Sequence, residues 1–256
     1  TAQRELRPPE NRRHIMAKKK SAPKKKAAPK KSSAAFGGFP KETLEFLCGL
    51  RANNKKTWFD KHRSEYDDHL MGPAKEFVEA VGVKLKKIVP AIQAIPKVNG
   101  SIFRINRDTR FSTDKTPYKD HLDMIFWEGD KKSTGSKMFL RISPDKVYTG
   151  AGFHSGCPDL LKSFRNAVAD EASGKELASI AKKLRKKGLE LEGQHYKRIP
   201  RGFSDDGPAG EFLLHDSLHI VYETDPATAC DSNFVDTCVK YWKGLMPFHR
   251  WLTDNL

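Results

Sequence analysis

Long apolar runs are missing from this chain. No stretch approaches the roughly 18 consecutive apolar residues that a membrane-spanning helix needs. No charged-then-apolar leader opens it. Both absences favour a soluble, cytoplasmic protein with no membrane partner. Cysteine is scarce: Cys48, Cys157, Cys230 and Cys238 are the four in 256 residues, and none form a C-x-x-C pair. The closest two, Cys230 and Cys238, are eight apart. That spacing does not suit zinc, and scattered thiols suggest a reducing compartment with free, mostly buried cysteines. There is no P-loop, no dinucleotide fingerprint and no G-x-S-x-G elbow, and no His/carboxylate cluster suggests a hydrolytic metal centre. No cofactor and no metal are expected.

Acidic residues are scarce in one region. Residues 1–40 hold 12 Lys and Arg against 2 Glu, a net +10, whereas residues 41–256 hold 35 against 30, a net +5. Most of the overall +15 therefore belongs to a tail. Residues 17–35 contain only Ala, Lys, Pro and Ser. Such a segment buries too little apolar surface to offset chain entropy and is expected to be disordered. It is either a solubilising tail or a non-specific polyanion contact, in which each Lys near a phosphate releases a counterion. Nucleic acid is the partner that the second reading implies. Residues 1–15 are polar and Arg-rich, with Pro8-Pro9, and Met16 reads as the native start. The boundaries expected are a tail over 1–38 and a single domain over 39–256.

Beyond Pro40 the apolar residues fall at helical spacing. Leu44, Leu47 and Leu50 form one stripe, with Asn53-Asn54 as its stop. Trp58, Phe59, Tyr66 and Leu70 form a second, ended by Gly72-Pro73, and Phe77, Val81, Leu85 and Ile88 a third. After Pro96 the pattern shortens. Strands are expected over 102–105, 121–127 and 138–142, the last returning through a turn at Ser143-Pro144-Asp145-Lys146 into a hairpin. A glycine-rich turn over 150–156 then leads to a helix starting at Pro158. Helical spacing resumes there, a last strand is expected over 218–222, and residues 227–253 close with helix. Helices, a block of strands, then helices imply an α+β fold with a mostly antiparallel sheet.

The charged stretch 104–118 stands apart. Its pattern, Arg104-x-x-Arg107-Asp108-x-Arg110-Phe111-x-x-Asp114-Lys115-x-Pro117-Tyr118, resembles the signature of a mostly bacterial family, domain of unknown function 2461. Asn53-Asn54 with Trp58-Phe59, the Gly150/Gly152 pair and Ile199-Pro200-Arg201-Gly202-Phe203 are similar to further motifs of that family. The resemblance covers about residues 39–254 and implies a domain boundary and a site, but no reaction.

Arginine offers a planar fork of donors that matches carboxylate or phosphate oxygens. Arg104, Arg107, Arg110 and Lys115 are therefore the expected seat of an anionic ligand, with Asp108 orienting an arginine and Tyr118 donating a hydrogen bond. Asp108 and His154 are the candidates for moving a proton, should the chain be an enzyme acting on a phosphorylated substrate. The alternative is a structural salt-bridge network with no ligand. Gly150, Gly152 and Gly156 before a helix start offer a second, weaker anion site. His215 and His219 have a metal-like i,i+4 spacing, but their context reads as loop and strand.

Overall fold

A computed structural model describes residues 36–256 except 131, 133, 134 and 155. The tail, Met16 and the polyanion reading of residues 17–35 lie outside the described residues.

Six strands form one sheet in the order β1-β2-β3-β4-β6-β5, with every neighbouring pair antiparallel. They are β1 (Ile92–Gln93), β2 (Leu122–Glu128), β3 (Lys137–Ile142), β4 (Val147–His154), β5 (Glu192–Gln194) and β6 (His215–Thr224). Before β2 come α1 (Lys41–Ala52), α2 (Lys56–Lys61), the short α3 (Arg63–Glu65) and α4 (Gly72–Lys86). Between β4 and β5 come α5 (Pro158–Ala169) and α6 (Glu171–Arg185), and α7 (Phe234–Asn255) follows β6. The expected α+β architecture is present.

Three local expectations are corrected. Gly72-Pro73 does not end a helix: a π-helical turn, Tyr66–Met71, runs straight into α4, with Pro73 in its first turn. Proline has no amide N–H to bond back along this continuous helix, and the His69 carbonyl four residues earlier accepts from the Thr43 hydroxyl instead. Residues 102–105 are not a strand; Ile102 makes only isolated bridges. Gly150 and Gly152 lie inside β4 rather than in a turn. The thiols also differ, since only Cys238 is buried while Cys48 and Cys157 are exposed. Cys48 falls beside the buried stripe of Leu47 and Leu50, and Cys157 directly precedes α5 without a capping hydrogen bond from its side chain.

Strand alternation sends one set of side chains to the helices and the other to the opposite face. Met124, Phe126, Met138, Leu140, Ile142, Ala151, Leu218 and Ile220 are buried in two apolar clusters. Helix α7 contributes to both, through Trp242 to one and Leu245, Phe248, Trp251 and Leu252 to the other. The Trp242 indole also donates to the Gly150 carbonyl at 2.9 Å, fixing α7 to the middle of the sheet. No described helix is long and apolar enough to cross a membrane.

Candidate functional site

The stretch 104–118 is a loop whose two limbs pair. Arg107 N–H donates to Pro117 O at 2.9 Å and Lys119 N–H to Ile105 O at 2.8 Å. At the tip, Asp114 accepts from the Thr116 amide at 2.9 Å, the turn expected from Asp before Lys-Thr-Pro.

Most of the loop's cations are already bound. The Arg107 guanidinium contacts the Asp114 carboxylate and the Thr116 hydroxyl. Arg110 forms a two-pronged pair with Asp108, Nε to Oδ1 at 3.0 Å and Nη2 to Oδ2 at 2.7 Å. That pair, with the Arg110 amide, holds the Asp108 carboxyl at a pKa of about 2. The Thr116 amide, then Arg107, likewise hold Asp114 below the usual carboxylate range. Lys115 Nζ donates to Thr109 O at 2.8 Å. Arg104 is exposed and contributes through space to keeping Asp108 ionised. Tyr118 is buried, its ring stacked on Phe59 at 4.3 Å between centroids.

A shallow cleft of about 590 Å³ beside this loop is lined by Arg107, Asp108 and Tyr118 among the expected residues. Its other charged walls are Arg51, Lys119, Asp114 and Asp120. Three cations thus face three carboxylates. Arg51 is bonded to Asp120 and Asp145, which raise its pKa further. Arg104, Arg110 and Lys115 do not line this cleft.

A larger cleft, about 860 Å³, lies on the sheet face turned away from α7. Its walls include Asp123, Lys137, Phe139, Arg141, Tyr148, Gly152, His154, His219, Val221 and Glu223, and the loop residues Phe103 and Lys132. His154, one of the two expected proton carriers, is therefore here, while Asp108 lines the other cleft.

Two ammonium groups set the character of this cleft. Lys137 Nζ donates to the Gly135 carbonyl at 3.1 Å. Lys132 donates to the Gly100 carbonyl and lies 5.0 Å from the Phe103 ring centre and 5.4 Å from that of Trp127. Burial lowers the pKa of both, and the charge of Lys132 lowers Lys137 further. Among the described residues, neither forms an ion pair with a carboxylate.

The remaining charges of the cleft are matched. Asp123 is gripped by Arg141 at 2.6 Å, Lys119 at 3.1 Å and His121 at 3.3 Å. Burial alone would raise its pKa, but His121 and Arg141 outweigh that and hold it low. Glu223 is paired with Lys146. His219 Nε2 lies 3.5 Å from Glu192, and burial lowers its pKa despite that neighbour. Among the described residues no group of three His, Cys, Asp or Glu could hold a metal ion.

Residues 42–251 match the family model described as Conserved hypothetical protein (DUF2461). The chain belongs to this family. Comparison with curated proteins and with solved structures returns no match. The stretch 104–118 is thus part of the matched region, as are both clefts.

Lys132, Lys137, Phe139 and Val221 were not singled out by sequence reasoning. A signal existed for one strand. In Lys137-Met138-Phe139-Leu140-Arg141-Ile142 the alternation separates a charged and aromatic face from a purely aliphatic one.

Proposed function

We propose that this DUF2461 domain binds a small anionic ligand, phosphate- or carboxylate-bearing, in the cleft on the open face of its sheet. One observation carries the reading: the Lys132 and Lys137 ammonium groups line the same cleft, partly desolvated, each bonded to a backbone carbonyl and, among the described residues, neither paired with a carboxylate. Like charges repel and burial penalises them, so an anion between them relieves both costs. For the loop 104–118, the pairing of Arg107 with Asp114 and of Arg110 with Asp108 supports the structural network as its role.

The test is thermal protection of the full chain by inorganic phosphate, sulfate and citrate. A ligand at about 100 times its Kd adds ~2.7 kcal/mol, a rise of roughly 5–10 °C for a domain of this size. Protection lost in Lys137→Met and retained in Arg110→Ala is expected. Protection lost in Arg110→Ala and retained in Lys137→Met would move the site to the loop. No protection of the wild type by any anion would overturn the proposal.

A second reading rests on the net +10 of residues 1–40. It holds that the tail binds polynucleotides with strong salt dependence. Deleting residues 1–35 should then abolish that binding; retention by the truncated chain would assign it to the domain.

A further inference from the structure

The anion seat occupies one end of the cleft, and the strand register shows what adjoins it. Along β3, Lys137, Phe139 and Arg141 share the open face. Their cross-strand partners extend each position into a band. Lys137 pairs with the buried Trp127 on one side and Gly152 on the other, Gly152 with His219, and His219 with Glu192, so the open part of this band is polar. Phe139 pairs with Ile125 on one side and Gly150 on the other, and Gly150 with Val221. Arg141 pairs with Asp123 and Tyr148, and Tyr148 with Glu223. The face is therefore polar, apolar, then polar again. The outer bands are separated by roughly 13 Å, four residues at about 3.3 Å each.

The middle band is kept flat and apolar by the absence of a side chain at its centre. A Cβ at Gly150 would stand 2.5 Å from the Phe139 ring and 2.8 Å from a Val221 methyl. Phe139 and Val221 thus close over the backbone of β4 from both sides. Apolar surface left open between two polar bands favours a ligand with a matching apolar middle.

Resting on the anion-binding reading, we infer that the cleft takes an elongated amphipathic acid. Its phosphate or carboxylate lies at Lys137 and its apolar segment covers Phe139 and Val221. A polar far end reaches Arg141 and Tyr148.

Calorimetry on the full chain tests this with four probes: inorganic phosphate, octyl phosphate, acetate and octanoate. Each chain-bearing probe should bind about tenfold tighter or more than its short counterpart, the direction that burial of a hydrocarbon segment dictates. The tighter of octyl phosphate and octanoate distinguishes a phosphate from a carboxylate head. Val221→Glu should bring the octyl-to-inorganic ratio down toward one; Phe139→Ala is the second variant should Val221→Glu fail to fold. Equal affinity for long and short probes would overturn the inference. If inorganic phosphate binding were still lost in Lys137→Met, the anion seat would stand alone; no binding of any probe would remove both. A concentration-dependent dimer with no chain-length gain would show a second copy of the chain closing the cleft, and would also overturn it.

Discussion

Asn54 grips Tyr118 by both ends of its carboxamide. Its Nδ2 donates to the Tyr118 carbonyl at 2.8 Å, and its Oδ1 accepts from the Tyr118 amide at 3.0 Å. Phe59, in α2 just beyond the link that holds Asn54, stacks on the Tyr118 ring. The Asn-aromatic segment and the end of the 104–118 stretch, far apart in the chain, are thus two sides of one contact. The Tyr118 side chain anchors the loop to the helical layer.

Asn54→Ala should therefore cost stability. It removes two hydrogen bonds and leaves a half-buried backbone donor and acceptor without partners, about 2–3 kcal/mol in all. Asn54→Asp should cost less, since it keeps the acceptor. Urea unfolding monitored by tryptophan fluorescence reads both. Equal midpoints for wild type and Asn54→Ala would refute the anchoring role.

The two paired arginines of the loop should behave differently. Arg107 sits between the limbs and reaches Asp114, Thr116 and the Thr116 carbonyl. Arg110 is exposed and, among the described residues, its side chain meets only Asp108 and the Phe111 ring. Arg107→Ala should speed hydrogen exchange at the Thr116 and Lys119 amides, while Arg110→Ala should leave both rates and the melting temperature unchanged.

Stability should fall on the acid side of neutrality. Burial, the largest influence on each, lowers the pKa of His215, His219 and His249 below the unfolded value of about 6.5. Below that pH the unfolded chain takes up protons that the native state refuses. The contribution of these residues is thus fully present above about pH 6.5 and is lost as pH falls toward the folded pKa values. His249 is wholly buried, bonded to Ser136 at 2.8 Å and Glu128 at 2.8 Å. Asp123 adds a second loss at lower pH, since its carboxyl is held down in the native state. Chemical denaturation between pH 7.5 and 5 should show the first decline, and His249→Asn should flatten part of it.

Gly150→Ala should destabilise the protein by about 1–3 kcal/mol, the usual cost of forcing atoms into a filled space. The new methyl would meet the Ile220 carbonyl at 2.4 Å as well as the Phe139 ring. A melting temperature equal to that of the wild type would show that the sheet yields there at no cost.

The helical stripes and the strands near 121–127 and 138–142 were legible because each carries its own periodicity within one short window. The 104–118 stretch was legible as a family signature, but its partners were not. Asp108 and Asp114 are local, yet nothing in the string says which arginine each takes. Asn54 lies 64 residues from Tyr118, and only the folded chain brings them together. The larger cleft was hidden for the same reason. Lys137 and His219 share a band only through the register of three strands, with Gly152 between them. The Gly150/Gly152 pair read as a turn because glycine is common in turns; here the residue at 150 is small because its cross-strand neighbours occupy the space above it.

The position of α7 has a consequence for synthesis. This helix covers both apolar clusters and is translated after all six strands. Until it leaves the ribosome, the greasy underside of the sheet has no complete cover. A nascent chain halted before residue 234 would leave Phe126 and Phe164 without their partners Trp242 and Trp251, so premature termination should yield aggregates rather than a shorter working protein.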